Sequence, residues 1–168
     1  LRGIKRLLGN NESQRLMVFD KPFRLVALIT PLLIRIRRTI EAQLPLGLNP
    51  TPVIDHACIG HPVNFEGSQN DRNRAALSAL SESYGYAEFN RQSFYPEPNA
   101  AALSYLYANP QLQTKTLLAV DFGGGALDLC GIKHTNVDFE VVATHGIGLG
   151  GDHIDQLLYR EHIFPILG

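Results

Sequence analysis

The chain has 168 residues, 45% of them hydrophobic, and a formal net charge of −1. That length suits one domain of ordinary size with a real core. The balanced charge, with neither a basic stripe nor an acidic tail, points away from nucleic acid. Leu25–Ile34 is apolar but too short to span a bilayer, and Pro31 interrupts it.

Leu1–Gly9 reads as a short helix with Gly9 at its C′ position. No signal-peptide pattern opens the chain, and this stretch reads as the middle of something, so a fragment is expected. Leu16–Phe19 predicts a strand, and Phe23–Ile29 a second strand or an extended lead-in. Thr30-Pro31 gives a helix start, a hydroxyl N-cap followed by proline at the first helical position. Leu33, Ile36, Ile40 and Leu44 then recur at helical spacing, with Arg35, Arg37 and Arg38 on a solvated face. Pro45–Pro52 is a proline-rich loop. Val53–Gly60 predicts a buried strand. His56 and His61 flank it without partners at metal-ligand spacing.

His61–Phe65 turns into a polar loop, and Arg74–Tyr84 predicts a helix. Asp71 or Asn73 would cap it, Leu77, Leu80 and Tyr84 would share a face, and Gly85 would close it. Ala87–Phe89 and Ser93–Tyr95 read as short extended pieces. Pro96-Glu97-Pro98 forces extended backbone before each proline and opens a helix over Asn99–Ala108. Glu97 is thereby held at a strand-to-helix corner, where the helix dipole alone accounts for an acid. Val137–Thr144 alternates as a further strand, His145–Gly151 holds four glycines, and a helix follows over Asp152–Phe164. Ile154, Leu157 and Leu158 supply its apolar face and Pro165 ends it. Cys58 and Cys130 lie in apolar runs and read as reduced core cysteines, not as a disulfide pair or a catalytic thiol.

The most informative stretch is Thr116–Lys133. An apolar run, Leu117–Val120, ends in Asp121; Gly123, Gly124 and Gly125 follow; Asp128 sits in a second apolar run. The pattern predicts strand, tight glycine turn, strand. Glycines allow left-handed backbone and close approach to a ligand. Successive N–H groups in such a turn can cradle phosphate oxygens. A carboxylate beside them suits hydrated magnesium. A glycine hairpin with no ligand satisfies the same spacing.

Four motifs in order give the chain a family resemblance: Lys5-Arg6-Leu7-Leu8-Gly9, Glu97-Pro98 before Ala-Ala-Ala-Leu, Val120–Gly125 with Asp128, and Gly148-Leu149-Gly150-Gly151-Asp152 with Asp155. Together they resemble the nucleotide-binding domain of DnaK-type heat-shock chaperones, in the actin-like ATPase superfamily. Gly60–Phe65 is similar to the shorter YegD-type relatives. The resemblance implies an α/β, ribonuclease H-like fold of mixed sheets flanked by helices, present in part. Residues 1–115 would belong to its first lobe and 116–168 would open its second. It implies ATP and magnesium as cofactors, with potassium as a further cation, and ATP hydrolysis in the full-length parent. The partners implied are ATP or ADP and, for the parent, unfolded clients or co-chaperones in the cytoplasm, with no nucleic acid and no membrane. Lys5 would orient the attacking water, Glu97 would polarise it or hold the metal's water shell, and Asp121 would face the magnesium. Gly123–Gly125 would form a phosphate loop, Asp128 would help hold a monovalent cation, and Gly150 and Gly151 would complete the nucleotide site. A proline like Pro62 and an arginine, Arg72 or Arg74, would relay nucleotide state between lobes. Ala126 departs from the family, which carries a hydroxyl there. The first phosphate loop and the adenosine segment of the family have no counterpart in these residues, so the isolated chain is expected to bind ATP weakly or not at all. Two other readings compete: a degenerate ATPase fold used as a protein-binding scaffold, and a sugar or acetate kinase of the same superfamily.

Overall fold

A computed structural model describes residues 7–8, 15–44, 54–65, 70–112, 116–134 and 139–167. Lys5, most of the Leu1–Gly9 helix and the Pro45–Pro52 loop lie outside the described residues. The chain divides into two compact units, one of residues 7–59 and 69–94, the other of residues 1–6, 60–68 and 95–168.

In the first unit, β1 (Arg15–Val18) and β2 (Lys21–Arg24) form an antiparallel hairpin. Its turn residues, Phe19 and Asp20, take φ of 49° and 59°, the left-handed pair that suits a two-residue hairpin turn. Helix α1 (Leu25–Glu41) starts six residues before the expected Pro31 and carries that proline inside it. The Thr30 hydroxyl donates to the Val26 carbonyl at 2.9 Å. It therefore faces back into the helix and is not a cap for following N–H groups. The buried stripe is accordingly Leu25, Val26, Ile29 and Leu33, while Ile36 and Ile40, expected inside, are exposed.

Helix α2 (Asn70–Tyr86) packs beside α1, with Ala76 and Ser83 buried and Leu77, Leu80 and Tyr84 half-buried. It begins before the expected Asp71 or Asn73 cap, and Gly85 lies within it. The stop is supplied by Glu88 at φ 66°. Glu88 N–H donates to Gly85 O at 2.9 Å and Phe89 N–H to Tyr84 O at 3.0 Å, the bond pair of a Schellman cap. The Tyr84 and Phe89 rings close it at 5.5 Å. Ala87–Phe89 is therefore a helix cap and not an extended piece. Arg24 grips Glu82 through two bonds of 3.0 and 2.7 Å. Arg37 is largely buried and ion-pairs with Glu88, whereas Arg35 and Arg38 are exposed as expected.

Strands β3 (His56–His61) and β4 (Arg91–Pro96) pair, and each runs across a boundary between the units. Arg91 N–H donates to Asp55 O at 2.9 Å, and His56 meets Ser93 at 3.1 Å. Cys58 on β3 is exposed, against the expectation of a core cysteine, because alternation along the strand buries its neighbour Ile59.

In the second unit, α3 (Glu97–Ala108) begins at Glu97 itself, with Pro98 in its first turn. Strands β5 (Thr116–Phe122), β6 (Leu127–His134) and β7 (Phe139–Ile147) form an antiparallel meander, in which β5 and β6 are the expected strands on either side of the glycine turn. Ala102 and Leu106 of α3 pack onto Cys130 and Ile132 of β6, with Leu117 and Ala119 beside them. The small side chains of α3 allow that close approach. Leu118, Val120 and Phe122 point the other way on β5 and are exposed. Strand β7 runs three residues past the expected Thr144, so His145 and Gly146 are strand and not loop.

Helix α4 (Gly151–Leu158) passes into a π-helical turn (Tyr159–Ile163) and then α5 (Phe164–Leu167). Pro165, expected to end the helix, lies inside α5. The π turn shifts the bonding, Phe164 N–H reaching Tyr159 O five residues back, so proline's missing donor falls where the ordinary ladder is already displaced. Ile154, Leu157 and Leu158, expected to be a buried face, are exposed.

Candidate functional site

The second unit assembles most of the residues singled out by sequence. Asp121, near the end of β5, pairs in register with Asp128, near the start of β6. Asp128 pairs in turn with Gly146 on β7. A cross-strand row, Asp121–Asp128–Gly146, thus lies at the end of the sheet where residues 123–126 join β5 to β6. Gly123 N–H closes that turn on Ala126 O at 2.9 Å. Gly123 and Gly124 are exposed, and neither takes a left-handed φ. Positive-φ backbone, expected along the glycine turn, is therefore not used at these two positions.

Close approach occurs at Gly150 instead. A Cβ there would meet the C and O of Gly124 at 2.5 Å and Ala126 N at 2.7 Å. The start of α4 is bonded onto the hairpin: Gly151 N–H donates to Gly123 O and Asp152 N–H to Gly124 O, both at 2.9 Å. The two glycine motifs, 123–125 and 148–151, are one packed object, and these N–H groups serve to hold the hairpin.

Asp128 is only 3% exposed. Its Oδ1 accepts the Val63 N–H at 3.1 Å. Burial pushes its carboxyl above the ordinary carboxylate range; the Val63 bond opposes this, Asp121 and Glu97 push further upward, and His61 pulls back. Glu97, Asp121 and Asp128 therefore share one electrostatic neighbourhood. Glu97 reaches it over Gly60, whose absent Cβ would lie 3.3 Å from Glu97 Cγ. Lys5 lies outside the described residues. Pro62 is half-buried in the loop that carries Val63; Arg74 is exposed on α2 in the other unit, and the Arg72 side chain is outside the description.

Among the described residues, no three His, Cys, Asp or Glu side chains form a cage for a bare metal ion. Two facing carboxylates with a third nearby fit a cation that keeps its waters and draws other ligands from phosphate. Sequence reasoning noted Gly60–Phe65 only as a point of resemblance and gave no site role to Gly60, Val63, Asn64 or Gly146.

The family model described as Hsp70 protein matches residues 8–165. The chain therefore belongs to the Hsp70 family, and its sequence is that of part of a DnaK-type nucleotide-binding domain. It is 30% identical to the chaperone protein HscA of Buchnera aphidicola subsp. Baizongia pistaciae over 92% of this chain and 32% of the relative. With HscA of Buchnera aphidicola subsp. Schizaphis graminum the identity is 37% over 64% of this chain and 16% of the relative. DnaK of Ureaplasma parvum is 28% identical over 92% of this chain and 23% of its own length. The chain thus spans at most about a third of these curated relatives. No helix among the described residues is long and apolar enough to cross a membrane.

Proposed function

We propose that the full-length protein is a DnaK-like chaperone ATPase of actin-like fold, and that this chain carries part of its ATP site. The supporting observation is the row in which Asp121 faces Asp128 at the end of the sheet closed by the glycine hairpin. In this reading the loop Gly123–Ala126 wraps phosphate and the N–H groups after Gly123 donate to its oxygens, the Gly123 N–H itself staying on Ala126 O, and Gly150 and Gly151 hold that turn from behind. Asp121 and Asp128 orient the waters of a magnesium ion, with potassium as a further cation near Asp128. Glu97 and Lys5 position the attacking water. A bound magnesium nucleotide would supply the transferable phosphoryl group and the counter-charge. Phosphoryl transfer depends mainly on such positioning and electrostatic stabilisation. The cytoplasm, unfolded clients and co-chaperones belong to the same proposal.

The test is ATP affinity by calorimetry and ATP turnover, on the full-length protein and its Asp121→Asn variant. Turnover that survives the substitution unchanged removes the case for catalysis. Ala126 favours a second reading, a degenerate ATPase fold kept as a protein-binding scaffold. A lost charge-assisted bond to phosphate is worth roughly 1.5–3 kcal/mol, about tenfold to a hundredfold in affinity. Tight magnesium-dependent ATP binding contradicts that scaffold.

A further inference from the structure

Gly146 is buried in β7 beside the acid row. A Cβ at this position would run into the Asp128 carboxylate, and would also lie 3.1 Å from Val63 Cβ and 3.2 Å from Asn64 N. The space that glycine leaves is filled by the loop after β3. That loop is attached to both members of one strand pair: Val63 N–H donates to Asp128 Oδ1 at 3.1 Å, and Asn64 Nδ2 donates to Gly146 O at 3.2 Å. The His61 and Phe65 rings stack across it, 6.2 Å apart and 12° from parallel. Val63 and Asn64 are adjacent in the chain, so fixing the Asn64 side chain on β7 fixes where the Val63 N–H points.

We infer that Asn64 is a positioning residue for the acid pair: by anchoring the loop to Gly146 it holds the Val63 N–H on Asp128 and so sets where that carboxylate faces Asp121. Asp128 is walled by Gly146 and the loop on one side and faces Asp121 on the other. A carboxylate with one oxygen pinned has little freedom left in how it meets a cation. The Asn64 amide works at one remove, through Gly146 and Val63. As a role in cation and nucleotide binding, this rests on the ATP-site reading above.

The experiment uses the full-length protein with Mn²⁺ and ADP as the probe, followed by electron paramagnetic resonance and calorimetry. Amide exchange over residues 61–65 is followed in parallel without ligand. Asn64→Ala is expected to speed that exchange about fivefold and weaken Mn²⁺–ADP by a similar factor, the size of one ordinary hydrogen bond. Asn64→Leu removes the donor while filling the same space, and should do the same. In an Asp128→Asn background the Asn64 substitution should cost no further affinity, because the charge that the loop aims at the cation is gone, although the amide oxygen can still accept the Val63 N–H. Unchanged exchange in both variants overturns the inference, as does an affinity loss that persists undiminished in the Asp128→Asn background. A wild-type protein that binds no ADP defeats the ATP-site reading alone; exchange at 61–65 then still decides whether Asn64 anchors the loop.

Discussion

Replacing Gly150 by alanine is expected to pull the glycine hairpin away from the start of α4. Backbone preference is not the reason: Gly150 has φ −138° and ψ −176°, extended geometry that any residue adopts. The reason is space. The new Cβ would sit 2.5 Å from the C and O of Gly124 and 2.7 Å from Ala126 N. Since unstrained carbon contacts need about 3.5 Å, the hairpin backbone must retreat by about 1 Å. Main-chain atoms have no alternative rotamer in which to escape. The bonds from Gly151 and Asp152 to Gly123 and Gly124, now 2.9 Å, would then stretch to about 3.9 Å, beyond useful range. Losing both costs about 1–3 kcal/mol, and residual overpacking adds a comparable amount. Urea unfolding measures this, with Gly123→Ala as the control, because a Cβ there meets only Ala126 O at 3.6 Å. Amide exchange at Gly151 and Asp152 should rise in the Gly150 variant alone. A misplacement of about 1 Å can also cost on the order of a hundredfold in catalysis. If Gly150→Ala unfolds at the same urea concentration as Gly123→Ala, the two glycine motifs are not packed as described, and the account of the hairpin fails.

Three other outcomes are expected. Asp128→Asn should stabilise the cation-free protein at neutral pH. Burial raises the folded carboxyl's pKa above its unfolded value, so above the ordinary carboxylate range the unfolded chain ionises first and wild-type stability falls as pH rises; urea curves in EDTA from acid to neutral pH that show the variant weaker at neutrality would contradict this. Cys58 should react readily with a thiol reagent in the native protein. Cys130, fully buried and with its pKa raised by that burial, should react only on unfolding, and equal native rates would refute the placement. Gly85→Ala should stabilise by about 0.5–1 kcal/mol, because Gly85 lies inside a helix and a Cβ there meets nothing nearer than 3.9 Å. Destabilisation on thermal unfolding would mean that Gly85, and not Glu88, ends the helix.

Legibility in the sequence followed the range of the interaction. Strands β5 and β6 were readable because apolar runs stop at glycines, and Asp121, Asp128 and the hairpin came with them. Glu97 was readable because two prolines fix its backbone. The start of α1 was misplaced because Thr30 and Pro31 signal a cap only if the hydroxyl turns forward, and here it bonds back to Val26. The end of α2 was misplaced because an acidic residue, held by Arg37, takes the left-handed position that glycine usually fills. The Val63 and Asn64 bonds join residues 65 and 82 positions apart, and no local pattern announces them.

Three glycines show why the remainder was hidden. Where a side chain would go, Gly85 has only an ordinary contact with the Gln92 amide, Gly146 has a carboxylate, and Gly150 has another segment's backbone. In the sequence they are the same letter, and each falls where a turn or helix end would also be predicted. What separates them is the neighbour that an added carbon would strike, which exists only once the sheet has formed. The acid pair and the hairpin are local features; their geometry is set by two distant segments, the loop at Val63–Asn64 and the turn at Gly150, both admitted by a missing Cβ. The position of the site therefore follows from short motifs, whereas its rigidity follows from packing at glycines that the motifs alone do not explain.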